Sequence, residues 1–411
     1  MCRTDQRIFN KLDEIKVMRD PIHGYIHVSY EVIWAIINHP IFQRLRRIKQ
    51  MGSSYIVYHT AEHTRFAHSL GVYEIVQRMC YENKDIDEAI DEKDKIVVML
   101  AALLHDIGHG PFSHAFESVF PFDHEAYSVK IIKESSLATL LDSYAPGLSQ
   151  EVADIIAHKS SKSLLVSMIS SQLDADRMDY LLRDAYFTGT KYGEYDLERV
   201  LRTLRVKDGK LVVKESGIHT IEDYIMARYH MYWQVYYHPV ARSFEAILNK
   251  IFLRMQKLHA QDPSSLDDVA MFKALLNNEF TLQAHFLLDE CACVYGFEKL
   301  IDHEDKIISD LCRRLRDRDL FEYEESEDVD VENIKEKLWS LGFDPEYYMA
   351  QDQVRQSPYQ PYRGSDERGI LILMADGKIK ELSKASMIVN SLTKSISKND
   401  HKIFFPREVM E

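Results

Sequence analysis

The stretch IVVMLAALLHDIGHGPFSH (96–114) is the most informative part of the chain. Its first nine residues, IVVMLAALL (96–104), are apolar on every side, which predicts a helix running through a core. A membrane-spanning helix needs roughly 20 such residues, so a soluble protein is expected. The helix is expected to end at His105-Asp106, with Gly108 and Gly110-Pro111 stopping it. A carboxylate at the end of a buried helix is costly unless it is paired or bound to a metal. Imidazole beside carboxylate suits a divalent ion of hard-to-borderline character. A capping or salt-bridged His-Asp pair is the plainer reading of the same two residues.

Outward from this stretch, residues 30 to 260 read as mostly helical. EVIWAIINHPIFQRLRRIKQ (31–50), RFAHSLGVYEIVQRMCYENK (65–84) and TIEDYIMARYHMYWQVYYH (220–238) carry apolar residues at three-to-four spacing. LRVKDGKLVVK (204–214) predicts a hairpin turning at Asp208-Gly209, and GILILMADGKIKEL (369–382) a second at Asp376-Gly377 followed by a short helix. The acidic run 322–335 reads as a solvated face and the turn-rich 356–369 as a connector. The expected fold is mostly α: a helical core over 1–260 and a smaller α+β part over 261–411 that serves oligomerisation.

A formal charge of −14 argues against a general nucleic-acid coat, because nothing global attracts a polyphosphate. Any anionic substrate must therefore be held by a local cluster of cations or by a metal. The five cysteines have no framework spacing, which fits a reduced, cytoplasmic setting. Cys291, Cys293, Cys312 and His303 match no common zinc-site spacing. Two further metal-ligand candidates are His68, in the first turns of a helix, and Asp176. Asp176, Tyr180 and Asp184 fall at i, i+4, i+8 on one helical face, either a solvated side or the lining of a cleft.

The order His68, His105-Asp106, Asp176 resembles the H…HD…D signature of the HD superfamily. DPIHGYIHV (20–28), QRLRRIKQMG (43–52), HTRFAHSLGVYE (63–74), HDIGHGPFSHAFE (105–117), DHEAYS (123–128) and DADRMDYLLRDAYFTG (174–189) resemble the deoxynucleoside triphosphate (dNTP) triphosphohydrolases. That resemblance implies one divalent ion, Mn, Fe, Zn or Ni, on His68, His105, Asp106 and Asp176, with Mg accompanying the triphosphate. It implies attack at the α-phosphorus, releasing a deoxynucleoside and intact triphosphate. The leaving oxygen would take its proton from His114, His109 or His124, with Glu117 and Glu125 orienting imidazoles. Arg65, Arg177 and Arg228 would hold the triphosphate with Tyr180, while Gln50 and Asp184 would hold the sugar 3′ hydroxyl. Tyr236 would close on C2′ and Tyr232 would line the same wall.

Two departures touch this pocket: Arg177 and Tyr232 stand where the best-studied relative has lysine and histidine. The resemblance further implies a homotetramer switched on by a guanine nucleotide at Asn38, Gln43 and Arg46. Here Asn38 replaces an aspartate, which removes a charge-assisted contact to guanine. Two alternatives stay open: an HD phosphohydrolase of another nucleotide or phosphodiester, and a nucleic-acid-binding regulator with a vestigial site and a basic patch Arg44, Arg46, Arg47, Lys49.

Overall fold

In the computed structural model, described over residues 7–112, 116, 119–120, 123–279, 281–325, 329–356, 369–394 and 398–411, the chain opens with an antiparallel ribbon. Strands β1 (Lys11–Asp20) and β2 (Gly24–Tyr30) pair across a turn in which Gly24 takes a left-handed φ of 73°. This ribbon lies before the helical reading begins. Helix α1 (Glu31–Ile37) then stops short of the periodic pattern that ran on to residue 50. Pro40 is the reason: it forces His39 into an extended conformation, and the chain restarts as a helical turn Pro40–Gln43 and a 3₁₀ turn Arg44–Arg47.

The core is built on α2 (Arg65–Glu82) and α3 (Glu92–Leu104), which pack together. Every residue from Ile96 to Leu104 is at most 2% exposed, as an all-round apolar helix requires. Helix α4 (His124–Glu134) approaches the end of α3 closely: a Cβ on Gly108 would lie 2.1 Å from the His124 carbonyl. Helix α5 (Ala175–Thr188) crosses α2 at Gly71, where a Cβ would lie 1.9 Å from the Asp179 carboxylate. Only glycine admits these two approaches.

The first expected hairpin forms as β3 (Leu204–Lys207) and β4 (Lys210–Lys214), with Asp208 and Gly209 at φ of 52° and 71°. Helix α6 (Ile218–Met231) gives way to a π-helical turn, Tyr232–Tyr236, before α7 (Pro239–Gln261). The single helix expected over 221–238 is thus interrupted, and Tyr236 leaves the ideal i, i+8 stripe from Arg228. π-turns recur at functional sites because they re-aim side chains.

Beyond α7, helices α8 (Glu290–Leu300) and α9 (Lys306–Asp317) build a second apolar core with Phe252, Phe272 and Phe404. Strands β5 (Glu322–Glu325) and β6 (Ala350–Gln356) flank β9 (Lys398–Phe405) in a three-stranded antiparallel sheet. The acidic residues of β5 are all exposed, as a solvated face would be. The second expected hairpin forms as β7 (Leu371–Leu373) and β8 (Ile379–Glu381). It is followed by helical segments Leu382–Ala385 and Met387–Lys394. β7 adds in parallel to β4, so Ile370, Ile372 and Leu382 return to the first core.

Candidate active site

His68, held in α2, and His105, just past α3, bring their rings to 5.3 Å, and α5 places Asp176 beside them. His68 Nε2 lies 3.1 Å and His105 Nε2 3.8 Å from Asp176 Oδ1. Among the described residues these three form the one group with metal-holding geometry. Asp106 borders them, 3.4 Å from His105 Nε2 and 3.8 Å from His68 Nε2, and accepts a bond from Arg65.

The tautomers follow from the partners. His105 Nδ1 meets the Ala102 carbonyl at 2.8 Å, which can only accept, so Nδ1 carries the proton. His68 Nδ1 meets Asp179 Oδ2 at 2.8 Å; burial pushes the Asp179 carboxyl up, but Arg183 with the His23 and His68 bonds holds it well below its usual range. Asp179 is therefore the acceptor. Both Nε2 atoms are buried and face the Asp176 carboxylate, neither in a well-formed hydrogen bond. Burial alone would lower the His68 pKa, yet the facing Asp176 and Asp179 carboxylates carry it up to about 10. The nitrogen and oxygen donors converging here at this spacing fit a divalent ion.

One cavity of about 660 Å³ opens from this cluster. Its wall holds Arg65, Asp106, His109, His124 and Asp176 at one side, and Gln50, Tyr180, Asp184, Tyr232 and Tyr236 at another. Asp184 Oδ1 lies 2.7 Å from His63 Nε2, and Asp184 Oδ2 accepts from the Tyr236 hydroxyl at 2.7 Å. Gln50 Oε1 is buried without a partner. Arg177 also lines the cavity and pairs with Asp174, while Arg228 reaches Gln172 at 3.3 Å. The Nε of each arginine is buried and unbonded, so each guanidinium keeps a donor for an anion.

His109 and His124 stack at 3.9 Å between ring centroids. Burial, with Arg65 nearby, holds His109 well below the usual imidazole pKa. Glu125 is exposed in the first turn of α4. His114 and Glu117 lie outside the described residues. Asn38 and Arg46 are exposed and Gln43 half-buried; Arg46 donates to Gln43 at 2.8 Å and lies 3.6 Å over the Phe66 ring. The four basic residues of 44–49 form no common patch: Arg44 is buried, Arg47 pairs with Asp289 and Lys49 with Glu62.

Several functional residues escaped the sequence reading. Asp179 accepts from His68, His23 and Arg183, and Arg183 reaches on to Asp20. His63 stacks on Phe187 and orients Asp184. All lie inside segments already quoted as motifs, but nothing in their spacing distinguishes a supporting residue from one that meets a ligand.

Residues 65–184 match the HD domain and 195–341 the HD associated region. The chain belongs to the HD-domain phosphohydrolase family. It is 46% identical over 408 residues to the uncharacterized protein YwfO of Bacillus subtilis, covering 97% of this chain and 94% of that one. A phosphohydrolase from Bacteroides thetaiotaomicron, solved by crystallography, aligns with a TM-score of 0.85 at 31% identity, over 96% of this chain and 100% of that one. The human deoxynucleoside triphosphate triphosphohydrolase SAMHD1 is 29% identical over 285 residues, 59% of this chain and 45% of its own length. The chain thus spans about half of that relative. No helix among the described residues is long and apolar enough to cross a membrane.

Proposed function

We propose that this hydrolase cleaves deoxynucleoside triphosphates to a deoxynucleoside and inorganic triphosphate. The observation that carries the reading is the shared cavity: Asp176 and Asp106 from the His/Asp cluster, Arg65 and Arg177, and the Asp184–Tyr236 pair all line about 660 Å³, the size of a small-molecule site. His68, His105 and Asp176, with Asp106 alongside, would hold the divalent ion, which when bound supplies Lewis acidity and a water of lowered pKa. Arg65, Arg177 and Arg228 bind and orient the triphosphate. The Asp184 carboxylate accepts from the 3′ hydroxyl and the Gln50 side-chain amide donates to it, while the Tyr236 ring excludes a 2′ hydroxyl. His124, stacked on His109 at the cavity wall, would give the leaving 5′ oxygen its proton.

Chromatography of the products from each dNTP tests this. Equal amounts of deoxynucleoside and triphosphate are expected, and dNMP or pyrophosphate as the primary product would exclude the reading. The same assay with ribonucleotides should show strong preference for the deoxy sugar, relaxed in Tyr236→Ala. If the wild type turns over ATP as fast as dATP, the sugar assignment is wrong.

A guanine nucleotide effector at Asn38, Gln43 and Arg46, bound between the subunits of a homotetramer, belongs to the same proposal. The Gln43–Arg46 bond and the solvent exposure of Arg46 and Asn38 support it, since these groups are presented together away from the catalytic cavity. An effector that binds only the assembled form stabilises it by linkage. Turnover of dATP should rise when catalytic amounts of dGTP are added, and Arg46→Ala should blunt that rise. Full dATP turnover without dGTP, unchanged by Arg46→Ala, would remove the effector site.

A further inference from the structure

Three stretches far apart in the chain meet beneath the catalytic loop. Arg44, only 2% exposed, donates from Nη1 to the His109 carbonyl at 2.9 Å and from Nη2 to the Leu288 carbonyl at 2.8 Å. Glu290, 5% exposed in the first turn of α8, accepts from the Lys49 N–H at 3.0 Å and the Phe112 N–H at 3.1 Å, both on Oε1. Between these residues Asp289 caps α8 at Ala292 and pairs with Arg47. Residues 288–290 thereby hold both 44–49 and 109–112.

Phe112 is the telling member. Its φ is +57°, a left-handed conformation that a bulky side chain rarely adopts and that the surroundings must enforce. His109, three residues earlier, lines the catalytic cavity. Burial pushes the Glu290 carboxyl up to about 7, so the acid is kept in an unfavourable setting where a apolar residue would have been easier to bury. Nothing in the proposed chemistry uses it.

We propose that Glu290 is a positioning residue: by accepting the Phe112 and Lys49 N–H groups it latches the strained turn after His109, so the C-terminal part sets the geometry of the catalytic loop. The proposal rests on the dNTP hydrolase reading for its kinetic consequence. In Glu290→Ala both N–H groups lose their acceptor, and the turn relaxes toward ordinary φ, carrying His109 with it. No proposed metal ligand and none of the three triphosphate arginines bonds to Glu290 itself, whose partners are the Lys49 and Phe112 N–H groups, so the loss falls on the chemical step.

The test compares Glu290→Ala, Glu290→Asp and Glu290→Gln in the full-length chain. For the dNTP that wild type hydrolyses fastest, Glu290→Ala should lose at least ten-fold in kcat with KM within three-fold and bound metal unchanged. Glu290→Asp, folded and still acidic but too short to reach both N–H groups, should lose three- to ten-fold, and it carries the test if the alanine variant does not fold. Glu290→Gln keeps an acceptor oxygen and should restore at least a third of wild-type kcat. Hydrogen exchange of the Phe112 amide should quicken at least a hundred-fold in Glu290→Asp but not in Glu290→Gln, whatever the substrate is. Full kcat in the alanine and aspartate variants, or unchanged Phe112 exchange in the aspartate variant, would overturn the latch. Absence of any dNTP hydrolysis by wild type would instead count against the substrate reading, leaving the exchange measurement to decide the latch.

Discussion

Replacing His105 with alanine is expected to remove both bound divalent metal and all detectable hydrolysis, while the protein stays helical. The ring hangs from the end of α3, whose nine apolar residues are buried without help from the imidazole. Its Nδ1 bond to the Ala102 carbonyl is local, so little tertiary packing depends on it. Its Nε2, by contrast, faces the one His/Asp cluster with metal-holding geometry among the described residues. Losing one of its three members removes a ligand and opens a gap that water alone must fill, which weakens a divalent site steeply. Metal analysis and a phosphate-release assay on the same sample check this, with circular dichroism as the control. Near-wild-type turnover in His105→Ala would sink the proposed metal centre.

How much of this was legible beforehand depended on whether the signal was local. The buried helix 96–104, its stop at His105, and both Asp-Gly hairpins rest on periodicity and turn chemistry, which act over a few residues. Four candidate metal ligands came from the motif order, and the structure brings three of them, His68, His105 and Asp176, together from α2, the end of α3 and α5, with Asp106 alongside. What stayed hidden is non-local. Nothing near residue 372 says that β7 will pair with β4, some 160 residues earlier. The break at Tyr232–Tyr236 was hidden for a different reason. Its sequence keeps helical spacing, and nothing local in it marks the π-turn. Asp179 and His63 were hidden because a residue that orients a ligand has no spacing of its own.

Arg183→Ala is expected to destabilise the fold by about 3–5 kcal/mol at pH 7, the usual cost of removing one partner from a buried ion pair. Arg183 is fully buried, donating to Asp179 through Nε and Nη2 and to Asp20 through Nη1. Asp179, also fully buried, sits against Gly71 and accepts from His23 and His68. Without the guanidinium, two carboxylates face one another in a space that water cannot easily enter. The sign of the pH effect follows. In the wild type Arg183 holds the Asp179 carboxyl well below its usual range, so its contribution is present above the ordinary carboxylate pKa and is lost only as pH falls through the depressed value. In the variant burial is opposed only by the bonds from His23 and His68, and the carboxyl takes up a proton at higher pH. The stability gap between wild type and Arg183→Ala should therefore narrow from pH 7 to pH 5, as urea titrations at the two values would measure. The site should feel the change as well. His68 loses an acceptor held in one orientation, and metal affinity should fall roughly 10- to 100-fold, the typical effect of removing such a partner. Arg183→Lys keeps the charge but loses the fork that spans Asp179 and Asp20, so it should fall between the two. A stability loss below about 1 kcal/mol in Arg183→Ala, well under the usual range for a buried pair, would show that this network does not hold α5 in place.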